Sequence, residues 1–465
     1  MKENIKFISI AFLIIVSLFV FPALAQNAIT AKIDEFIKAE MQKQKIPGVS
    51  LAVIRDGQII YAKGYGYANV EHQVPVKTET IFQSGSVGKQ FTAMAIMILV
   101  EDGKIGLDDK INKYFPDAPA EWNNITVRHL LTHSSGMRGY PKDFNFRADY
   151  TEDSLYKIIK TVPLTFQPGE KWAYSNLGYA TLGILISRVT GKFYGDFLKE
   201  RVFNSLGMTT ARVITEVDIV PNRAAGYVLV NGELKNQEWV SPTINTTADG
   251  SLYLTILDMA KWEAALNGGK LLKKENYEAM WSPVKLNNGK THPYGFGWAI
   301  RYFNGKRIIE HGGLWQGFVS DIRRFPEQKL TVVVFANLRD ANVNKLARGL
   351  LEIYYPQLSI AAAKVIEDKE PKITSFVKEF LQKTVEEKLT PELFTPEAGA
   401  LILSQSKQAA EYFKSLGTLN NIELLERREL ESGSRLYRYR LTYSSTKLEF
   451  IITLTKDNKI DEIKL

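Results

Sequence analysis

The sequence predicts a mixed α/β protein. A mainly antiparallel sheet flanked by helices and carrying a helical insertion is followed by a small C-terminal α+β domain. Runs rich in β-branched and aromatic residues lie at 49–54 and 58–65, and strand-like runs return from residue 307 onward. Short helical patterns and loops fill most of the chain between them. Strands from distant parts of the chain are therefore expected to meet in one sheet. A change of composition after Tyr355-Pro356 predicts the second domain.

Each main element follows from a local signal. Asp56-Gly57 between two apolar runs predicts a hairpin. Apolar residues at helical spacing, with Gly103 as a stop, predict a helix over residues 90–101. The same reasoning predicts helices over 177–189, 252–266, 374–383 and 396–416, and strands over 318–325, 330–336, 436–443 and 448–455.

The N-terminal segment has the features of a signal peptide. Lys2 and Lys6 precede an apolar stretch, and Ala23-Leu24-Ala25 forms a small-x-small cleavage pattern. We expect removal of residues 1–25 and a secreted or periplasmic protein with no stable membrane span after cleavage. An uncleaved membrane anchor is the alternative. The remaining chain is divided into a main domain at 26–360, a linker at 361–372 and a small α+β domain of unknown role at 373–465.

The composition excludes several classes of protein. With 465 residues, 45% of them hydrophobic and 24% charged, the chain is typical of folded globular proteins. The absence of Cys excludes disulfides, thiolate metal sites and cysteine nucleophiles. The net charge of +8 comes from scattered Lys and Arg, so no nucleic-acid partner is expected. His129 and His133 have i, i+4 spacing but enclose no acidic residue, and we predict neither a metal nor a cofactor.

The strongest candidate for chemistry is Ser86-Val87-Gly88-Lys89. Residues three apart share one face of a helix, which brings a lysine amine beside a serine hydroxyl whose proton it can accept. The Ser-x-x-Lys pattern occurs six times in the chain, so the bare pattern is weak. Only the copy at Ser86 lies at a glycine-rich entry to a strongly apolar helix. The other five are interpreted as surface coincidences.

Two further motifs follow along the chain. Tyr174-Ser175-Asn176 comes after a Pro-Gly turn and before an apolar helix, which places the tyrosine on a loop from which it can reach a cleft. His311-Gly312-Gly313 follows a strand, and paired glycines at a strand edge let a substrate backbone lie alongside.

The ordered succession of Ser-x-x-Lys, Tyr-x-Asn and His-x-Gly resembles the class C β-lactamase-like serine hydrolases, a superfamily that includes D,D-carboxypeptidases, D-amino-acid peptidases and esterases. The resemblance covers about residues 28–356 and implies a β-lactamase/transpeptidase-like fold. Further family-like stretches are 126–136, 225–227, 249–262 and 294–298.

The resemblance also implies roles for single residues. Ser86 would be the acylated nucleophile, Lys89 its proton acceptor and Tyr174 the second acid/base group. The backbone N–H groups of Ser86 and Leu314 would form the oxyanion hole. The remaining motif residues would bind or orient the substrate, namely Asn176, His311, Gly312 and Gly313.

One departure from the family pattern bears on the substrate. True β-lactamases of this group have Lys-Thr-Gly at the third motif, whereas this chain has His-Gly-Gly, which replaces a permanent charge by a side chain only partly protonated near neutral pH. A stretch that is usually Ala-Gly-Gly-Leu reads Ala248-Asp249-Gly250-Ser251-Leu252, which is expected to reshape a pocket wall.

We therefore predict a hydrolase of D-amino-acid peptides or small esters, whose substrates are small molecules or peptides including cell-wall fragments. A β-lactamase and a non-catalytic protein that binds penicillin or peptidoglycan fragments are the alternatives.

Overall fold

The chain folds into two units, described by a computed structural model that covers residues 28–464 except 215, 304–305 and 431–432, and except the side chains of 303, 397 and 401. The first unit ends at Tyr354 and the second begins at Tyr355. The predicted signal peptide, residues 1–25, lies outside the described residues. Among the residues that are described, no helix is both long enough and apolar enough to cross a membrane.

Strands from the two ends of the first unit form its main sheet, as the sequence predicts. The first hairpin consists of β1 (Gly48–Arg55) and β2 (Gln58–Asn69), joined by the Asp56-Gly57 turn, in which both residues have positive φ. β1 pairs antiparallel on its other side with a strand at 330–336, so that Val53 faces Val332. The remaining strands of the unit are β3 (Val74–Pro75), β4 (Phe82–Gln83), β5 (Arg212–Val213), β6 (Tyr227–Val230), β7 (Glu233–Asn236), β8 (Leu252–Leu254), β9 (Val284–Lys285), β10 (Thr291–His292), β11 (Ala299–Phe303), β12 (Lys306–Trp315), β13 (Phe318–Phe325) and β14 (Leu330–Ala336).

The main sheet has the strand order β11-β12-β13-β14-β1-β2-β3, and every neighbouring pair is antiparallel. Helices pack against it and fill the chain between its two sets of strands. They are α1 (residues 28–44), α2 (Lys89–Glu101), α3 (Val127–Leu131), α4 (Glu152–Thr161), α5 (Asn176–Thr190), α6 (Tyr194–Leu198), α7 (Asn204–Leu206), α8 (Ile256–Gly268), α9 (Lys274–Met280) and α10 (Val343–Tyr354). A π-helical turn at Lys199–Phe203 joins α6 to α7.

Two of these helices form the centre of the core. Every residue of α2 from Lys89 to Leu99 is buried, as is every residue of α5 from Leu177 to Ile186. Ser175 caps the start of α5, and Gly191, in the left-handed conformation, ends the helix. The first residues of the two helices, Lys89 and Asn176, are in contact, since the Nζ of Lys89 lies 2.8 Å from the Oδ1 of Asn176.

One predicted helix of this unit was wrong at its start. The run 252–266 reads as one helix in the sequence, but it contains the strand β8 and then α8, which begins at Ile256. Thr255 separates the two elements because its side chain accepts a hydrogen bond from the backbone N–H of Asp258 and so starts a helix at that point. Leu252 to Leu254 instead pair with β4 and β5.

The second unit consists of helices and one antiparallel sheet. Its elements are α11 (Pro371–Val385), α12 (Pro396–Ser404), α13 (Ser406–Ser415), β15 (Leu419–Glu429), β16 (Arg435–Tyr443), β17 (Lys447–Leu454) and β18 (Ile460–Lys464). The strands follow one another in sheet order, and aromatic residues of β16 such as Tyr437 and Tyr439 are buried in the core. The predicted helix 396–416 is divided at Gln405.

The predicted fold class, a mainly antiparallel sheet with helices and a separate C-terminal sheet domain, is confirmed.

Candidate active site

Ser86 and Lys89 lie at the buried start of α2. Ser86 is in a 3-10 turn, Gly85–Gly88, that leads directly into the helix, and Lys89 is the first helical residue. The Nζ atom of Lys89 is 3.1 Å from the Oγ atom of Ser86. Lys89 is completely buried, whereas Ser86 is partly exposed. The spacing of three residues thus brings the amine and the hydroxyl into hydrogen-bond contact.

The amine of Lys89 has two further acceptors from distant parts of the chain. Its Nζ donates to the Oδ1 of Asn176 at 2.8 Å and to the main-chain oxygen of Asp249. Asn176 can do this because it is the first residue of α5. The rings of Tyr174 and Tyr179 also lie near the amine, with centroids 4.9 Å and 5.5 Å from Nζ. These contacts hold the amine at one position next to Ser86.

Two glycines allow the turn Gly85–Gly88 that carries Ser86, called here the serine turn, to contact strand β12. Gly85 has φ +51°, and a Cβ atom on it would lie only 2.5 Å from the backbone nitrogen of Leu314. A Cβ atom on Gly313 would lie 2.0 Å from the main-chain oxygen of Ser84. The segment that carries the predicted N–H donor of Leu314 is therefore packed directly against the turn that carries Ser86.

Tyr174 lies on the loop before α5, as its sequence context predicts. Its ring packs on that of His133, with 4.3 Å between centroids, and 38% of the residue is exposed. The neighbouring Ser175 fixes the loop, since its Oγ donates to the main-chain oxygen of Arg138 at 2.6 Å and accepts from the N–H of Gly178. The loop thus presents the tyrosine ring close to Lys89 while keeping it accessible.

His311 lies inside β12 rather than after it, and both of its ring nitrogens have protein partners. Its Nδ1 is 2.7 Å from the main-chain oxygen of Gly312, and its Nε2 is 2.8 Å from the hydroxyl of Tyr294. Burial, and secondarily the charge of Lys89, lower the pKa of His311 to about 4. The expectation of a partly protonated side chain near neutral pH was therefore wrong, because the ring is buried beside a cation.

His133 and Tyr294 belong to the same cluster and were not among the predicted site residues. The Nε2 of His133 is 3.2 Å from the Tyr294 hydroxyl, and its Nδ1 accepts the N–H of Ser175. Burial is the main cause that lowers the pKa of His133 well below its usual value. Both residues lie in stretches that resemble the family, 126–136 and 294–298, but those stretches carry no local sign of a contact between residues 161 positions apart.

His129 lies apart from this cluster. Its Nδ1 accepts the N–H of Thr126 at the start of α3. Within residues 28–464, apart from the gaps named above, no group of three or more His, Asp or Glu residues is arranged to hold a metal ion.

A cleft of about 350 Å³ opens at Ser86. Its lining includes Asn176 and Leu314 from the predicted site, together with Tyr140, Asp249 and Trp315. The hydroxyl of Tyr140 is buried and has no hydrogen-bond partner within the described structure. The cleft therefore combines a serine hydroxyl in contact with an amine, nearby backbone N–H groups and an aromatic wall.

Comparison with known proteins agrees with this geometry. Residues 33–354 match the family model described as Beta-lactamase. The chain belongs to the Beta-lactamase family. Over 314 residues, 64% of this chain and 69% of the relative, it is 31% identical to "Penicillin-binding protein 4*" of Bacillus subtilis.

Solved structures of Beta-lactamase-like proteins match as well. The octameric penicillin-binding protein homologue from Pyrococcus abyssi has a TM-score of 0.64 and 26% sequence identity, and the match covers 91% of this chain and 90% of that one. D-amino acid amidase from Ochrobactrum anthropi SV3, in complex with L-phenylalanine amide, has a TM-score of 0.62 and 26% identity, covering 72% of this chain and 99% of that one. Family membership and the amidase neighbour support a hydrolase.

Proposed function

We propose that this chain is an exported serine hydrolase that forms an acyl-enzyme on Ser86 and acts on amides, peptides or small esters of D-amino acids. The observation that carries the proposal is the contact of 3.1 Å between the Nζ of Lys89 and the Oγ of Ser86, at a cleft that opens to the solvent. A serine hydroxyl is a weak nucleophile unless a neighbouring base accepts its proton, and Lys89 is within reach to do so in its neutral form.

In the acylation step the Oγ of Ser86 attacks the substrate carbonyl carbon while the hydroxyl proton passes to Lys89. The carbonyl oxygen becomes an oxyanion that accepts hydrogen bonds from the backbone N–H groups of Ser86 and Leu314. Each such donor is worth about 2.7–4 kcal/mol to the transition state. The bond to the leaving group then breaks, and Tyr174 gives its hydroxyl proton to the departing amine or alkoxide.

Deacylation reverses these roles. The phenolate of Tyr174 takes a proton from a water molecule, and the resulting hydroxide attacks the acyl carbon. The ester bond to Ser86 breaks, and the proton held by Lys89 returns to the serine oxygen. Tyr174 is suited to both steps because its ring is partly exposed and packs near the amine of Lys89.

The nature of the third motif supports this substrate class over β-lactams. The buried, uncharged ring of His311 stands where true β-lactamases have lysine, so the motif offers no cation for a substrate carboxylate. The neighbour named D-amino acid amidase supports substrates with an amide on a D-amino acid. The following experiment distinguishes this proposal from turnover of β-lactams and from binding without catalysis.

The test is intact-protein mass spectrometry after exposure to a fluorophosphonate and, separately, to penicillin. Wild type, Ser86→Ala and Ser375→Ala are compared, because Ser375 begins a second Ser-x-x-Lys pattern on an exposed part of α11. We expect an adduct on wild type and Ser375→Ala that is absent from Ser86→Ala. A lasting penicillin adduct would favour a D,D-peptidase-like site, and catalytic loss of penicillin would show a β-lactamase. The absence of any adduct would overturn the proposal and favour a binding protein.

A further inference from the structure

A carboxylate lies in the candidate cleft where the family pattern usually has glycine. Asp249 is half-buried, and it lines the cleft together with Ser86. Its main-chain oxygen accepts the hydrogen bond from Lys89, which fixes the backbone of this residue beside the reactive pair. Asp249 is therefore held beside the reactive pair as part of the cleft lining.

The carboxylate of Asp249 has spare capacity to accept hydrogen bonds. Thr247 donates its hydroxyl to Oδ1 at 2.5 Å. None of the ion pairs among the described residues involves Asp249. An ionised carboxylate has about four lone-pair sites, so most of its accepting capacity remains for a ligand.

The two other titratable groups near the cleft, Lys89 and His311, already have hydrogen-bond partners within the protein. The Nζ atom of Lys89 is within hydrogen-bond distance of Ser86, Asn176 and the main-chain oxygen of Asp249, and in the proposed function this amine is neutral when it accepts the serine proton. The ring of His311 is neutral and engaged at both nitrogens. Asp249 therefore gives the cleft a negative charge, which attracts a cationic part of a substrate and repels a carboxylate.

Tyr140 supplies a second polar group at the cleft, and its environment indicates a ligand-binding site. Its hydroxyl is buried at the cleft and has no hydrogen-bond partner within 3.5 Å among the described residues, and such groups are rare without a functional reason. Tyr140 and Asp249 line the same cleft, and burial, followed by the negative charge of Asp249, raises the pKa of Tyr140 well above its usual value, although the side chain of Thr247 acts in the opposite direction. The phenol therefore stays neutral, and its oxygen can accept a hydrogen bond.

From these positions we infer that Asp249 and Tyr140 form a subsite for the free α-ammonium group of the substrate. The inference rests on the proposed function, with the scissile carbonyl at Ser86. In an amino-acid amide the α-nitrogen is separated from that carbonyl by a single carbon, so the ammonium must bind next to the reactive serine. The substrate class is accordingly amino-acid amides, esters or peptides with an unblocked amino terminus, and the enzyme acts as an aminopeptidase or amidase rather than a carboxypeptidase.

The test compares each substrate with its N-acetylated form, which lacks the positive charge. The rates of hydrolysis of D-phenylalanine p-nitroanilide and of its N-acetyl form are measured for wild type, Asp249→Asn and Tyr140→Phe. The control is Asp153→Asn, because Asp153 is exposed on α4. We expect wild type to prefer the free amine, and Asp249→Asn to lower that preference by about tenfold or more, mainly through KM. Tyr140→Phe should lower it to a smaller extent, and Asp153→Asn should leave it unchanged.

A second measurement needs no variant of the site. D-Alaninol and N-acetyl-D-alaninol are tested as competitive inhibitors of wild type, and the free amine should bind about tenfold or more tightly. Equal inhibition, or equal hydrolysis of the two anilides, would overturn the ammonium subsite. Labelling of Ser86 by the fluorophosphonate separates the two proposals. If Ser86 is labelled, only the subsite has failed, whereas without labelling the proposed function itself has failed.

Discussion

The hydroxyl of Tyr294 joins two buried histidines, lying 2.8 Å from the Nε2 of His311 and 3.2 Å from the Nε2 of His133. One arrangement of protons satisfies every contact. Because the N–H of Ser175 donates to the Nδ1 of His133, the proton of the neutral ring is on Nε2 and points to Tyr294. The tyrosine proton then points to His311, whose own Nδ1–H donates to the main-chain oxygen of Gly312.

This directed chain of hydrogen bonds surrounds Tyr174. The ring centroids of His133, Tyr294 and His311 lie 4.3, 6.4 and 6.1 Å from that of Tyr174. Fully satisfied polar networks make a buried region rigid. The network therefore positions the proposed acid/base tyrosine.

Removal of the central hydroxyl is expected to destabilise the protein. Tyr294→Phe leaves a buried nitrogen on each histidine without its partner, and each such group costs about 1–3 kcal/mol. We expect a loss of that size in the free energy of unfolding, measured by chemical denaturation. The exposed Tyr302 provides the control, since Tyr302→Phe should leave the stability unchanged. Equal stability of Tyr294→Phe and wild type would show that the chain of hydrogen bonds contributes nothing.

The stability of the protein should depend on pH through His311. Its pKa is lowered to about 4 in the folded state, from an ordinary value of 6.5, so the unfolded chain binds more protons between these two pH values. The contribution of His311 to the free energy of unfolding is complete above pH 6.5 and is lost as the pH falls toward about 4. A shift of this size corresponds to about 3 kcal/mol.

The measurement is denaturant unfolding of wild type and His311→Asn between pH 4 and 7. The difference in unfolding free energy between the two proteins should shrink as the pH falls. The comparison is needed because burial raises the pKa of Asp321 to about 6, which has the opposite effect in the same range but is present in both proteins. A difference that is independent of pH would contradict a buried, neutral His311.

The sequence predicts the parts of this site that depend on local geometry. The contact of Ser86 with Lys89 follows from their spacing of three residues at a glycine-rich helix start, and the first hairpin follows from its Asp-Gly turn. The contacts of Tyr294 and of Asp249 depend on how separate segments pack, and no spacing records them. Similarly, strand β15 escapes prediction because only Leu424 and Leu425 of its residues are fully buried, which leaves no clear alternation of apolar residues.

Replacement of the candidate base should remove most of the activity. Lys89→Met keeps an unbranched side chain of similar length in the buried position but cannot accept the proton of Ser86. General base catalysis contributes about 10²–10⁴-fold, and we expect kcat for a D-amino-acid anilide to fall by a factor in that range. The exposed Lys378, three residues after Ser375 on α11, is the matched control, because Lys378→Met should leave kcat unchanged. Retention of kcat in Lys89→Met would exclude the lysine as the base.

The two glycines of the third motif should respond differently to a methyl group. A Cβ atom on Gly313 would lie 2.0 Å from the main-chain oxygen of Ser84 and 2.2 Å from the Oγ of Ser320, so Gly313→Ala must displace β12 from the serine turn. Overpacking of this kind costs about 1–3 kcal/mol. On Gly312, the nearest atom to such a Cβ would be 3.8 Å away, and Gly312→Ala should leave the stability unchanged.

Thermal unfolding measures the difference between the variants, and the rate of Ser86 labelling by a fluorophosphonate reports the displacement of Leu314 from Ser86. If Gly313→Ala is as stable as Gly312→Ala and is labelled as fast as wild type, the close contact between strand and turn is not needed for the site.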